Sequence, residues 1–170
     1  DKNTFSKYNL KKISYSLKNE QKKFGISLCG GDTVFSKKLS FTIISLGFGN
    51  KIIQRNKAKF KDDIYVTGNL GDSYAGLQIL KNKINLNKRL NKYFINKYFL
   101  PDLQLNLTKK FQSFANTSID ISDGLISDLE KLINKQKLSY RLELKDIPIS
   151  ANLKKLLNLK KLKKSYFISQ

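Results

Sequence analysis

Apolar positions along the chain follow two different periods, and the changes between them predict its elements. From residue 4 to 24, Phe5, Tyr8, Ile13, Leu17 and Phe24 recur among lysines at helical spacing, which predicts an amphipathic helix. FGISLCGGDT then predicts a short apolar strand that ends abruptly at Gly30 and Gly31. Residues 39–48, LSFTIISLGF, form the clearest strand pattern: long, β-branched and apolar on both faces in its middle. Residues 49–62 are polar and basic, as expected of a link between two structural units. DIYVTG reads as another strand, followed by NLGD and a helix from near Ser73, with Asp72 or Ser73 as its N-terminal cap.

Residues 81–92 alternate Lys and Asn and are expected to be solvated. A helix through Tyr93–Phe99 should stop at Pro101, and a second, basic helix should cover Leu103–Phe114. Next come a strand at 118–121, a turn at Ser122–Gly124, and a helix with Leu125, Ile126, Leu129, Leu132 and Ile133 on one apolar stripe. YRLEL, residues 140–144, alternates like a strand, and a final basic helix carries Leu153, Leu156, Leu157 and Leu162 on one side. There is no internal repeat. Interleaved helices and strands predict an α+β (mixed α/β) fold.

With 170 residues and 40% hydrophobic content, the chain can hold one medium domain or parts of two. A formal net charge of +20 suggests nucleic acid or an acidic membrane surface as partner. The kind of residue argues against both. The charge is almost all Lys, with Arg only at Arg55, Arg89 and Arg141, whereas base and phosphate readers favour the Arg fork. Abundant Lys, Asn, Ile, Phe and Tyr together reflect an AT-rich coding sequence. The basic tail at 154–164 lacks Trp, Phe and Arg and reads as a solvated helix face.

The lone Cys29 excludes an internal disulfide and fits a reducing, cytoplasmic setting; as a residue it reads as a small buried hydrophobe. The absence of His removes Cys/His zinc sites, Ser–His pairs and imidazole bases, which leaves carboxylates, hydroxyls, Lys, Arg, backbone amides and a hard cation. No apolar run is long enough to span a bilayer, and no signal-peptide pattern is present. With no Met and a start at Asp1 in a polar segment, the chain is expected to be part of something longer.

Three stretches carry candidate chemistry. In C-G-G-D-T, Cys29–Thr33, the glycines would let a backbone approach a ligand, and Asp32 and Thr33 offer hard oxygen ligands; a tight turn with a polar tip is the plain alternative. In V-T-G-N-L-G-D-S, free amides at a helix start could meet an anion, but no Lys-Ser/Thr follows the glycines, so this is not a Walker A loop. In D-I-S-D-G-L, Asp120 and Ser122 share one side of a strand, and Asp123 sits at the turn. One acid would suffice to cap the next helix. Two nearby carboxylates repel unless a cation lies between them, and a cation held against phosphates is what phosphoryl transfer needs.

In their order and spacing, GGDT, LSFTIISLGF, RNKAKFKDDIYVTGNLGDSYAGL, IDISDGL and LKDIPIS resemble the thiamine-monophosphate kinases, of the superfamily that includes aminoimidazole ribonucleotide synthetase. The resemblance runs from about residue 20 to 150. Selenophosphate synthetases and hydrogenase-maturation relatives do not combine these motifs. The resemblance implies transfer of the γ-phosphoryl of ATP to thiamine monophosphate with Mg²⁺ and no phosphoenzyme. It implies Mg²⁺ ligation by Asp32, Asp120 and Asp123, nucleotide contacts from Gly31, Asp32, Arg55 and Ser122, and a homodimeric full-length protein. Residues 1–50 would belong to an N-terminal ATP- and Mg-binding domain and 63–170 to a C-terminal domain, with 51–62 as linker.

The chain departs from the family pattern at Lys57, Lys61, Phe60 and Gln104. It also lacks the family's N-terminal acidic metal motif and its C-terminal acidic-tyrosine motif. Two other functions remain open: another ATP-dependent enzyme of the superfamily, and a non-catalytic Lys-rich module binding RNA or membrane. With both acidic motifs absent, these 170 residues alone are expected to form no measurable thiamine diphosphate, which a product assay checks.

Overall fold

The computed structural model describes residues 6–34 and 36–169, so Phe5 of the first predicted helix lies outside the described residues. The chain divides into two compact units, residues 1–48 and 49–170.

The first unit is built on α1 (Lys7–Phe24), which starts where the Ser6 hydroxyl accepts the Asn9 amide at 3.2 Å and ends at Gly25 in the left-handed region. None of its residues is buried. Residues 26–34 and 36–48 follow without helix or strand. The two strands expected here do not form, and Ile43, Ile44 and Leu46 are 79–86% exposed. A strand exists only through hydrogen bonds to a neighbouring strand. Residues 39–48 have the composition for a sheet covered on both faces, and among the described residues no neighbouring strand forms beside them. Cys29 is exposed, not buried as its residue type suggests.

The second unit is helical. It contains α2 (Asp72–Leu80), α3 (Lys88–Phe99), α4 (Thr108–Phe114, preceded by a 3₁₀ turn), α5 (Leu125–Ile133), α6 (Ala151–Lys160) and the single turn α7 (Ser165–Ile168). Its core joins Ala75 and Ile79 of α2, Leu90 and Phe94 of α3, Leu153 and Leu156 of α6, and Phe167 of α7, with Ile84 from the α2–α3 connection. The expectation that residues 81–92 are solvated is therefore corrected. Lys and Asn dominate the segment, but Ile84 and Leu90 are buried, and the Asn87 side chain starts α3 by accepting the Leu90 amide at 3.0 Å. The strands expected at 63–68, 118–121 and 140–144 are likewise irregular, and among the described residues no β-ladder forms. Their backbones find no ladder partner among the described residues.

Asp72 ties three helices together. It is buried at the start of α2, where it accepts the Ser150 hydroxyl at 2.7 Å and the Tyr93 hydroxyl at 2.8 Å. Ser150 in turn accepts the Leu153 amide at 2.9 Å and so caps α6. Neither Asp72 nor Ser73 caps α2, because the cap position is Gly71 with φ 88°. Burial pushes the Asp72 carboxyl above the usual carboxylate range, and the two hydroxyls offset part of that rise.

Gly76 sets how closely α2 and α3 approach. A Cβ there would lie 2.2 Å from the Phe94 carbonyl oxygen and 2.9 Å from the Tyr98 Cβ. Because the nearest atom is backbone, the helices would have to separate. Gly76→Ala is therefore expected to destabilise the unit by about 1–3 kcal/mol. In thermal unfolding this is a fall of roughly 2–4 °C for each kcal/mol.

Candidate functional site

The turn from Ser122 to Gly124 leads directly into α5, and Gly124 (φ 120°) is the residue before the first helical turn. A helix start leaves its first amides without partners inside the helix. Here a carboxylate from within the helix collects the amides of the turn before it. Asp128 Oδ2 accepts the amides of Ser122 (2.8 Å), Asp123 (2.8 Å) and Gly124 (3.2 Å). Its other oxygen, Oδ1, accepts Lys131 Nζ at 2.8 Å, and Lys131 also pairs with Asp123.

Asp128 is 2% exposed. Burial alone would push its carboxyl up, but the Lys131 ammonium and the amides of Asp123 and Ser122 outweigh it and hold the group below the usual carboxylate range. Lys131 is in turn raised by its bonds to Asp123 and Asp128.

Sequence reasoning missed Asp128, although its signal was present. Leu125, Asp128, Leu129 and Leu132 occupy one helical face at i, i+3, i+4 and i+7. An acid on an otherwise apolar stripe must find partners, and the nearest donors are the amides at the start of its own helix.

Asp120, Ser122 and Asp123 all lie exposed in or beside this turn. The turn therefore brings Ser122 and Asp123 together with Asp128 and Lys131. Arg55 lies elsewhere. Its neighbour Asn56 donates its amide to the Leu132 carbonyl at 2.8 Å and accepts the Lys135 amide at 2.8 Å, both at the C-terminal end of α5. The nine residues of α5 put about 13 Å along the helix axis between that backbone and the Ser122–Gly124 turn.

Around Arg55 the chain is firmly tied. Gln136 brackets Ala58, donating to its carbonyl at 2.8 Å and accepting its amide at 3.2 Å. Thr117 donates to the Gln54 carbonyl at 2.8 Å. Asn116 reaches both oxygens of Asp62, at 2.9 and 3.0 Å.

Gly31 and Asp32 belong to the first unit. Asp32 is exposed, and its Oδ1 accepts the Thr33 amide at 2.7 Å. Neither Gly30 nor Gly31 adopts a positive φ, and no described residue comes close enough to either to demand glycine there.

The donor chemistry fits a hard divalent cation in part. Asp120 and Asp123 supply carboxylate oxygens, while Asp128 is committed on both of its own. Among the described residues no three His, Cys, Asp or Glu side chains cluster closely enough to form a complete cage. Mg²⁺ is commonly held by one or two carboxylates, with water and substrate phosphates completing its shell. This turn offers that kind of partial site.

Comparison with known proteins places these residues in context. No family model matches the chain. It is 32% identical over 149 residues to the thiamine-monophosphate kinase of Leptospira interrogans, covering 86% of this chain and 48% of that protein. It is 40% identical over 144 residues to the same enzyme of Buchnera aphidicola from Schizaphis graminum, covering 83% and 44%. Against the Escherichia coli K12 enzyme the identity is 35%, again over 83% and 44%. The chain thus spans somewhat less than half the length of these curated relatives. Among solved structures it matches thiamine monophosphate kinase from Aquifex aeolicus with a TM-score of 0.63 and 27% identity, over 69% of this chain and 40% of that one. It matches AaThiL complexed with AMPPCP and TMP with the same TM-score and 28% identity, covering 69% and 38%.

The low position of the Asp128 carboxyl makes a pH-dependent prediction. A group held below its unfolded value of 3.8 contributes stability above that pH and loses it as pH falls through the folded value. At neutral pH, Asp128→Ala is expected to cost about 2 kcal/mol, through the amides of Ser122, Asp123 and Gly124 that lose their acceptor. The gap between parent and variant should narrow in acid, which urea unfolding at neutral pH and near pH 3 checks.

Proposed function

We propose, since the chain is homologous over most of its length to the thiamine-monophosphate kinases, that it forms part of an ATP-dependent kinase converting thiamine monophosphate to thiamine diphosphate. The observation that carries this reading is the turn at Ser122–Gly124, pinned by Asp128 and leaving the carboxylates of Asp120 and Asp123 beside it at the surface. The solved relative complexed with AMPPCP and TMP supports a nucleotide and a thiamine phosphate as the two substrates.

On this reading, Asp32, Asp120 and Asp123 are Mg²⁺ ligands, and Gly31, Asp32, Arg55 and Ser122 are nucleotide contacts. When bound, Mg²⁺ would neutralise and align the phosphates for direct transfer. The chain's own contribution is positional. Asp128 fixes the turn before any ligand arrives, so Ser122 and Asp123 need little ordering on binding. The strap at residues 54–58, bonded to Thr117 and to the end of α5, holds Arg55 in place at the far end of that helix. Residues 1–50 are assigned to the ATP- and Mg-binding domain and 63–170 to the domain that follows, with 51–62 joining them. The extended segments of both take up the sheets of a mixed α/β fold of the aminoimidazole ribonucleotide synthetase type, and the full-length protein is a homodimer.

Binding of a non-hydrolysable ATP analogue tests the site. It should require a divalent cation and weaken by about tenfold or more in Asp120→Asn and in Asp123→Asn, because each removes one charged ligand. Calorimetric titration checks this. Unchanged binding in both variants, together with RNA binding that falls steeply with salt, would replace the kinase reading with a basic binding module.

A further inference from the structure

We propose that Lys131 is a counter-ion switch hinged on Asp128: it neutralises Asp123 while that carboxylate holds no divalent cation, and turns to a nucleotide phosphate once it does. This rests on the reading of Asp123 as a cation ligand given above.

The two bonds of Lys131 differ in kind. Asp128 is 3% exposed at its side chain, and its second oxygen already takes three amides, so it cannot follow the ammonium elsewhere. Asp123 is 67% exposed at its side chain and lies open to solvent and to a competing ion. The lysine is itself 38% exposed, on a long flexible stem. An exposed ion pair is weak and readily exchanged, whereas a buried charge resists losing its partner. A divalent cation arriving at Asp123 repels the ammonium bound to the same carboxylate. The Asp123 bond is the one that breaks, and Lys131 stays at the turn on Asp128.

The freed charge has an evident use. The start of a helix normally offers its amides to a phosphate. Here the amides of Ser122, Asp123 and Gly124 are all spent on Asp128, so this turn has little backbone left for an anion. Lys131 is the cationic donor bonded to the turn, and its third N–H is available for a phosphate oxygen. Cation binding and nucleotide binding are then linked: each makes the other tighter, by equal factors.

The test uses the full chain, Mn²⁺ and a non-hydrolysable ATP analogue in calorimetric titration. Lys131→Gln keeps a donor for Asp128 and removes the charge. It is expected to bind Mn²⁺ alone roughly threefold to tenfold more tightly than the parent, and the analogue at saturating Mn²⁺ more weakly by a similar factor. Lys131→Arg should behave like the parent. Helical circular dichroism confirms folding, with Lys131→Met as the second variant.

A purely structural lysine would give weaker binding of both ligands in Lys131→Gln, and that result overturns the switch. Unchanged affinities overturn it too, as does an equal gain in Mn²⁺ affinity from Lys135→Gln, which would reveal only a general field effect. If the parent binds no Mn²⁺, or binds it as well after Asp123→Asn, the reading of Asp123 as a cation ligand fails first and the switch falls with it.

Discussion

A carboxylate on the buried face of α5 has to be satisfied, and the way Asp128 is satisfied determines the candidate site. An ionised acid at 2% exposure is tolerable only with several strong donors around it. Three come from the backbone of the preceding turn, and the fourth is Lys131. The turn therefore takes its shape from the folding of α5 and does not wait for a ligand. The same arrangement fills the amides that an anion would otherwise use. The acids beside the turn, Asp120 and Asp123, stay exposed.

Asp72 is a second instance of this device with the opposite electrostatic outcome. Both acids lie in the first turn of a helix, and in both the cap position is a glycine with positive φ, Gly71 or Gly124, whose lack of a side chain leaves the cap unfilled. Asp72 receives two neutral hydroxyls, from Ser150 and Tyr93, and burial dominates, so its carboxyl is pushed up. Asp128 receives an ammonium and several amides, and its carboxyl is pulled down. Similar burial thus gives two roles: Asp72 fastens α2, α3 and the start of α6, and Asp128 presets a turn.

The sequence made much of the helical body legible, because helix signals are local. The leucine stripe of α6, the stripe of α5, and the end of α3 just before Pro101 all follow from spacing within a few residues. The start of α3 was missed because the Lys and Asn content of residues 81–92 masked Ile84 and Leu90, two well-placed apolar residues that suffice to anchor the segment. In the site, the surplus of acids at Asp120 and Asp123 was visible at once. Asp128, which fixes the turn beside them, is harder to see because it lies on the apolar stripe of the helix that follows.

The extended segments show the complementary limit. A helix closes its hydrogen bonds between residues four apart, so any stretch with suitable spacing and caps completes its own backbone. A strand closes its bonds only on another strand, and a sheet apolar on both faces also needs two layers over it. Leu39–Phe48 carries the composition for such a place, with Phe41, Ile43, Ile44 and Leu46 all more than 60% exposed. Its apolar pattern states what surroundings the segment requires and does not supply them. That asymmetry is why the helical core closes around Phe94, Leu153 and Phe167 while, among the described residues, the most strand-like segment joins no β-ladder.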